Sequence, residues 1–238
     1  MKIALIGYGK MGKTIEKIAL ERGHEIVLII DIDNQEDLTI TNLKQADVAI
    51  EFTIPSSATA NYCKCFEAGI PIVSGTTGWL DHKDNIIKEM NKHNGTFFYA
   101  SNFSVGVNLF FELNKKLARL MAGRPEYQAS MEEVHHIHKL DAPSGTALTL
   151  AEDLISNSPG LKSWTLTTPE SSEQLPITAI REGEVPGIHR IKYESSVDHI
   201  MIEHDAKSRK GFATGAVLAA EFVKGKKGLL NMTDLLNN

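Results

Sequence analysis

The chain has 238 residues, 42% of them hydrophobic and 23% charged, which is enough for one large soluble domain or two small ones. A net charge of −5 argues against a nucleic-acid surface, and no apolar run reaches membrane-spanning length, so neither nucleic acid nor a membrane is an expected partner. The sequence opens directly on the strand-like MKIALIG, too short for a signal h-region, and Cys63 and Cys65 are separated around the axis of an expected helix, so a reduced, cytoplasmic protein is expected.

Residues 2–6 form an apolar run that leads into Gly7, Tyr8, Gly9, Lys10, Met11 and Gly12. A helix follows, with Met11, Ile15, Ile18 and Ala19 on one face and a stop at Gly23. Strand, GxGxxG and helix in this order let Gly7 make a tight turn, Gly9 admit a pyrophosphate and Gly12 bring the helix close. The next strand, 25–30, ends at Asp31, where an acid would hydrogen-bond the adenine ribose; Asp31 is the first choice and Asp33 the second. Neither is followed by Arg or Lys, and two carboxylates would repel a 2′-phosphate, so NADH is slightly favoured over NADPH.

A third strand, 47–53, meets Pro55 and a helix from about residue 56 that turns Ala58, Tyr62, Cys65 and Phe66 inward before Gly69. The fourth strand, from 71–73, runs into small residues, of which Gly75, Thr76 and Thr77 are expected to face the cofactor. After a helix over 81–93 and a strand over 96–100, a helix carries Leu109, Leu113, Leu117 and Leu120. Alternation of strand and helix stops there. Strands are expected over 127–136, 163–168, 175–181, 188–194 and 197–204, with one helix over 144–155 among them. A last helix presents Phe212, Ala216, Ala219, Ala220 and Val223 on one side. The expected fold is α/β: an N-terminal Rossmann dinucleotide-binding domain (1–103 and 205–238), plus an α+β substrate-binding and oligomerisation domain with a mixed sheet (104–204).

The densest chemistry lies in Glu133 to Thr146, EVHHIHKLDAPSGT. Pro143 biases the preceding backbone away from helix, Ser144 offers a hydroxyl N-cap, and Gly145 leaves the first helical N–H groups open to an anion. Beside that seat, Lys139 is a fixed cation, while His135, His136 and His138 can exchange protons near neutrality. An anionic substrate and an acid step are expected. On a strand, 136 and 138 would share a face that 135 leaves, and no further ligand has a matching spacing, so no metal is expected.

The run EVHHIHKLDAPSGTAL, with GYGKMG, FTIPS, VSGTTG, ASNFSVGVN, IREGEVPGIHRI and HDAKSRKGFATGAVLAAEF, resembles the dihydrodipicolinate reductase family in order over nearly the whole length. The resemblance implies NADH- or NADPH-dependent reduction of dihydrodipicolinate, a small dicarboxylate formed from 4-hydroxy-tetrahydrodipicolinate, to tetrahydrodipicolinate in the diaminopimelate route of lysine biosynthesis. A homotetramer is expected. The resemblance further implies His135 as proton donor or acceptor, Lys139 as a second catalytic cation and proton donor, and His136 as a substrate holder. It assigns Gly145 and Thr146 to a substrate carboxylate, and it lays Gly7 to Gly12, the acid near 31, Gly75 to Thr77, and Ala100, Ser101, Asn102 and Phe103 along the cofactor. The segment between Asp31 and Asp47 looks shorter than in many relatives, and the basic residue that often follows the ribose-binding acid is missing. Another Rossmann oxidoreductase acting on a small dicarboxylate would keep GYGKMG without needing HHxHK and DxPSGT, and a non-catalytic NAD(H) sensor would have no use for His135 or Lys139.

Overall fold

Short β-branched runs alternate with amphipathic helices through the first hundred residues, and in the computed structural model they build a parallel sheet. Residues 1–208 and 210–238 are described. The chain divides into two units, Met1–Val105 with Lys210–Asn238, and Gly106–Arg209.

In the first unit, β1 (Lys2–Ile6), β2 (Glu25–Ile30), β3 (Val48–Glu51), β4 (Ile72–Ser74), β5 (Thr96–Tyr99) and the late β11 (Gly228–Leu230) lie in the order β11-β5-β4-β3-β1-β2. Every pairing among them is parallel. Alternate residues along a strand point to opposite faces, and a parallel sheet is covered on both. One face joins Leu5, Ile50, Val73 and Phe98 to α1 (Lys10–Glu21) and α7 (Lys210–Phe222). The other joins Ile6, Ala49, Ile72 and Phe97 to α3 (Pro55–Ala68) and α4 (Lys83–Lys92). The helix α3 starts with Pro55 in its first turn and stops at Gly69, whose φ of +75° is the left-handed cap that glycine adopts without strain. Gly215 of α7 lies flat on the chain before it: a Cβ there would sit 1.7 Å from the carbonyl oxygen of Phe103.

Four short elements are not expected from the sequence: a 3-10 turn over Ile32–Asp37, α2 (Ile40–Leu43), β11 and α8 (Met232–Leu236). None is long enough to show a period.

The second unit holds a mixed sheet of β6 (Gln128–His135), β7 (Ser163–Thr165), β8 (Gln174–Arg181), β9 (Ile188–Glu194) and β10 (His199–Asp205), in the order β10-β9-β6-β8-β7. The central β6 runs antiparallel to β9 and parallel to β8. Its core gathers Met131, Ile177 and Ile191 with α5 (Val105–Met121) and α6 (Gly145–Asn157). Of the leucines expected on α5, Leu117 packs partly buried against this core. The helix buries Val107, Phe110, Asn114 and Ala118, while Leu109, Leu113 and Leu120 are exposed. The deciding contact is polar, with Asn114 Nδ2 donating to the Leu150 carbonyl at 3.0 Å inside the core.

Candidate active site and cofactor cradle

Gly7 follows β1 with φ +93°, and its N–H donates to the Ile30 carbonyl at 2.8 Å. A Cβ on Gly7 would lie 2.1 Å from the Phe52 oxygen, and one on Gly12 would lie 2.2 Å from the Gly7 oxygen. Gly9, by contrast, has no neighbour within 4 Å of its Cβ position, and it is the N-cap of α1 without a side-chain hydrogen bond. Two glycines are therefore used for close approach of the chain to itself, and one opens unpaired helix N–H groups outward.

A cavity of about 340 Å³ brings Gly9, Lys10, Met11 and Gly12 together with Gly75, Thr76 and Thr77, and adds Phe52 and Thr53. Beneath it sits Glu51, fully buried. Its carboxyl group accepts from Ser74 Oγ at 2.6 Å, from Thr76 Oγ1 at 3.0 Å and from Thr53 Oγ1, which ties the ends of β3 and β4 together under the cavity. Burial pushes this carboxyl up, against the pull of those hydrogen bonds. The glycine-framed opening over a helix start fits a pyrophosphate, and the cavity's place at the carboxyl ends of parallel strands is where such sheets take nucleotides.

Other expected cofactor residues lie outside that lining. Asp31 is half-buried at the end of β2, Asp33 is exposed on a 3-10 turn over Ile32–Asp37, and Tyr8 hydrogen-bonds Glu16. Ala100 and Phe103 are buried in the core, where the Phe103 ring packs on Phe52 at 5.6 Å; only its main chain remains for a ligand. Ser101 is exposed, and Asn102 Oδ1 accepts from the Ser104 N–H at 2.9 Å.

In the second unit the sheet register assembles the polar cluster. Glu133 pairs with His189 across β6 and β9, and His135 pairs with Arg181 across β6 and β8. Two residues apart on one strand, Glu133 and His135 share a face. Glu133 is fully buried, and its oxygens accept the Ser144 N–H at 3.1 Å each and Arg181 Nη2 at 3.0 Å. His135 Nδ1 lies 3.4 Å from the same carboxylate, short of hydrogen-bond geometry, and His189 Nε2 lies 3.8 Å away.

Arg181 also donates to the carbonyls of Lys139 at 3.3 Å and Asp141 at 2.6 Å, while Lys139 Nζ pairs with the Asp141 carboxylate at 2.9 Å. Ser144 Oγ accepts the Ala147 N–H and meets His189 Nε2, each at 3.2 Å. The turn from β6 to α6 is thus pinned at both ends, and Gly145 opens α6 with empty space at its Cβ position. His135, Lys139, Gly145 and Thr146 are gathered within this one β6–turn–α6 segment.

The strand ends at His135, so the face-sharing expected of a longer strand does not apply to His136 and His138. They lie in the turn with ring centroids 6.1 Å apart, and exposed His138 meets Glu184 at 3.4 Å. Glu133, His135 and His189 offer ligand atoms within 4.8 Å of one another. Arg181 and the Ser144 amide already occupy the carboxylate, and a guanidinium 3.0 Å away opposes a cation there, so Glu133 is held by those two donors with the imidazoles of His135 and His189 beside it.

Models of the N-terminal and C-terminal parts of dihydrodipicolinate reductase match residues 1–103 and 106–236. The chain belongs to the dihydrodipicolinate reductase family. The 4-hydroxy-tetrahydrodipicolinate reductase of Christiangramia forsetii is 51% identical over 239 residues, covering 100% of this chain and 98% of that protein. That of Neisseria gonorrhoeae is 36% identical, covering 93% of this chain and 83% of that protein. The solved structure of dipicolinate-bound dihydrodipicolinate reductase from Paenisporosarcina sp. TG-14 matches in fold, with a TM-score of 0.77 over 97% of each chain at 22% identity.

In this reductase-family chain, the places of Arg181 and His189 are not legible in local spacing, because β8 and β9 reach Glu133 only through the sheet register. Their local signal is IREGEVPGIHRI, a family motif to which the resemblance attaches no role. Their electrostatics carry a testable consequence. Burial lowers His189 to about 4, so it is neutral at pH 7. Burial would raise Glu133, but contacts with His135, Ser144 and Arg181 outweigh it and hold it at about 2.

Between pH 6.5 and 4 the unfolded chain takes up a proton at His189 that the native chain refuses, so stability falls with acidification, by about 3 kcal/mol for a shift of this size. From about 4.5 down to 2 the depressed Glu133 adds a second loss of the same sign. Urea unfolding followed across this range should show both, and the upper step should vanish in His189→Gln; a flat profile above pH 4 would contradict the buried neutral imidazole.

Proposed function

We propose that this chain is a 4-hydroxy-tetrahydrodipicolinate reductase, which uses reduced nicotinamide nucleotide to convert dihydrodipicolinate, derived from 4-hydroxy-tetrahydrodipicolinate, to tetrahydrodipicolinate in the diaminopimelate route of lysine biosynthesis. The observation that carries it is the direct passage from His135 through the Lys139 turn to an open helix start at Gly145, an acid and an anion seat on one pinned segment.

When bound, the nicotinamide supplies the hydride. The chain's own groups do the rest. Gly145 and Thr146 receive one substrate carboxylate at the α6 start, His136 and Lys139 hold the dicarboxylate ring, and Lys139 is a second proton donor. Hydride addition to the conjugated imine leaves an electron-rich enamine, which His135 protonates as imidazolium. In the first unit, Gly7 to Gly12 seat the pyrophosphate, Gly75, Thr76 and Thr77 with the Ala100 to Phe103 main chain line the nucleotide, and Asp31 takes the ribose hydroxyls.

The test is oxidation of NADH and of NADPH by the purified protein, with substrate generated from pyruvate and aspartate semialdehyde by the preceding synthase. Consumption that depends on the synthase is expected, with NADH slightly preferred. Asp31→Ala should lower kcat/KM for NADH by about tenfold, the worth of a charge-assisted hydrogen bond, and shift the ratio towards NADPH. An unchanged ratio would move the ribose contact to Asp33. The same reading includes a cytoplasmic homotetramer. Exposed Leu109, Leu113 and Leu120 on α5, and Ile200 and Met201 on the sheet-edge strand β10, support association, and sedimentation at four times the 26.2 kDa chain mass is expected.

A further inference from the structure

Glu133 is a fully buried carboxylate in the most reactive stretch of the chain, and the reaction as described makes no use of it. Its surroundings point to one. From the sheet side it meets His135 Nδ1 at 3.4 Å, and Nδ1 is an enclosed nitrogen without a formed hydrogen bond. From the turn it receives the Ser144 N–H at 3.1 Å on both oxygens, at the residue that caps α6, and from β8 it receives Arg181 at 3.0 Å. On the other edge of the imidazole, Gly187 has φ +155°, and a Cβ there would stand 3.1 Å from His135 Nε2. A side chain at 187 would crowd that nitrogen.

We propose that Glu133 is the positioning carboxylate of this site: it keeps a proton on Nδ1 of His135 and directs Nε2 to the edge that Gly187 leaves uncrowded. Through the Ser144 amide it also fixes the imidazole relative to the helix start that seats the substrate carboxylate. The inference deepens the reductase reading and rests on it for the role of His135.

The contact is long, as catalytic hydrogen bonds often are before substrate binds, and both residues stand on one strand, so closing it needs no rearrangement of the fold. A carboxylate on Nδ1 fixes the tautomer and favours the imidazolium, the form that donates a proton to the enamine. The charged and titratable groups that face the pair are Arg181 on β8, His189 on β9, and Lys139 and Asp141 in the turn, with His204 on β10 acting through His189. Burial keeps His189 neutral, and Arg181 shares its charge with two turn carbonyls, so the anion nearest His135 is Glu133.

Two measurements test this. In the native protein, nitrogen-15 spectra of the histidine rings should show neutral His135 in the Nδ1–H tautomer. This needs neither substrate nor turnover, so it stands apart from the reductase assay, whose failure would overturn the function instead. In Glu133→Gln, the alkaline fall of kcat should move to lower pH by about one unit, because loss of the neighbouring negative charge makes the imidazolium give up its proton sooner. NADH affinity should be unchanged, and Glu133→Asp should restore most of the profile. A dominant Nε2–H tautomer in the native protein, or a kcat–pH profile in folded Glu133→Gln superimposable on the native one, would overturn the proposal. Should Glu133→Gln fail to fold, the tautomer in the native protein alone decides.

Discussion

Replacing His135 with alanine is expected to lower kcat by about two to four orders of magnitude, the range that a well-placed general acid contributes. NADH affinity, followed by fluorescence titration, should stay close to native. The separation follows from where the groups stand. The cavity-lining residues from Gly9 to Thr77 belong to the first unit, and His135 ends a strand of the second. Lys139→Ala should behave alike, since Lys139 is held by Asp141 and by an Arg181 clamp on its own carbonyl, and removing its ammonium leaves that turn anchored. Full turnover in both variants would remove the acid step from this segment. A fall in nucleotide affinity equal to the fall in kcat would indicate a general loss of structure.

The largest expected effect on stability comes from a residue with no chemistry. Gly215→Ala places a methyl group where the Phe103 carbonyl oxygen stands 1.7 Å away, and a main-chain oxygen cannot swing aside as a side chain would. Overpacking typically costs about 1–3 kcal/mol, and this site should reach or exceed the upper end. The midpoint of urea unfolding should fall accordingly, and NADH should bind more weakly because the displaced segment is the one proposed to line the nucleotide. Gly211→Ala is the control, since its new carbon would meet the Ser104 side chain at ordinary distances, Oγ at 3.4 Å and Cβ at 3.9 Å. Equal stability of the two variants would mean that α7 moves freely on the sheet.

The sequence was most legible where pattern and punctuation coincide. Residues 25–30 read as a strand and form one, and Ala58, Tyr62, Cys65 and Phe66 are all buried on a helix that Gly69 ends. Ser144 caps its helix as its hydroxyl suggested. On α5 the leucine spacing marks a helix without telling its buried face, because two stripes of helical spacing compete, and the hydrogen bond from Asn114 to Leu150 belongs to the one without leucines. The buried network was illegible for a different reason: Glu133, Arg181 and His189 meet only through the register of three strands, which no local spacing encodes.

The first unit draws its core from both ends of the chain, and this governs the order in which the molecule can take shape. The face of the sheet that carries Leu5, Ile50, Val73 and Phe98 is synthesised well before Ala216, Val217 and Ala220, which cover it. While the ribosome works through residues 106–209, that apolar face has no lid from α7, and it is then that a nascent chain needs shielding from its neighbours. The second unit takes its core from one continuous segment and can close first. The middle of the chain is thus complete before its beginning, a reversal of the usual head-to-tail sequence of domain folding.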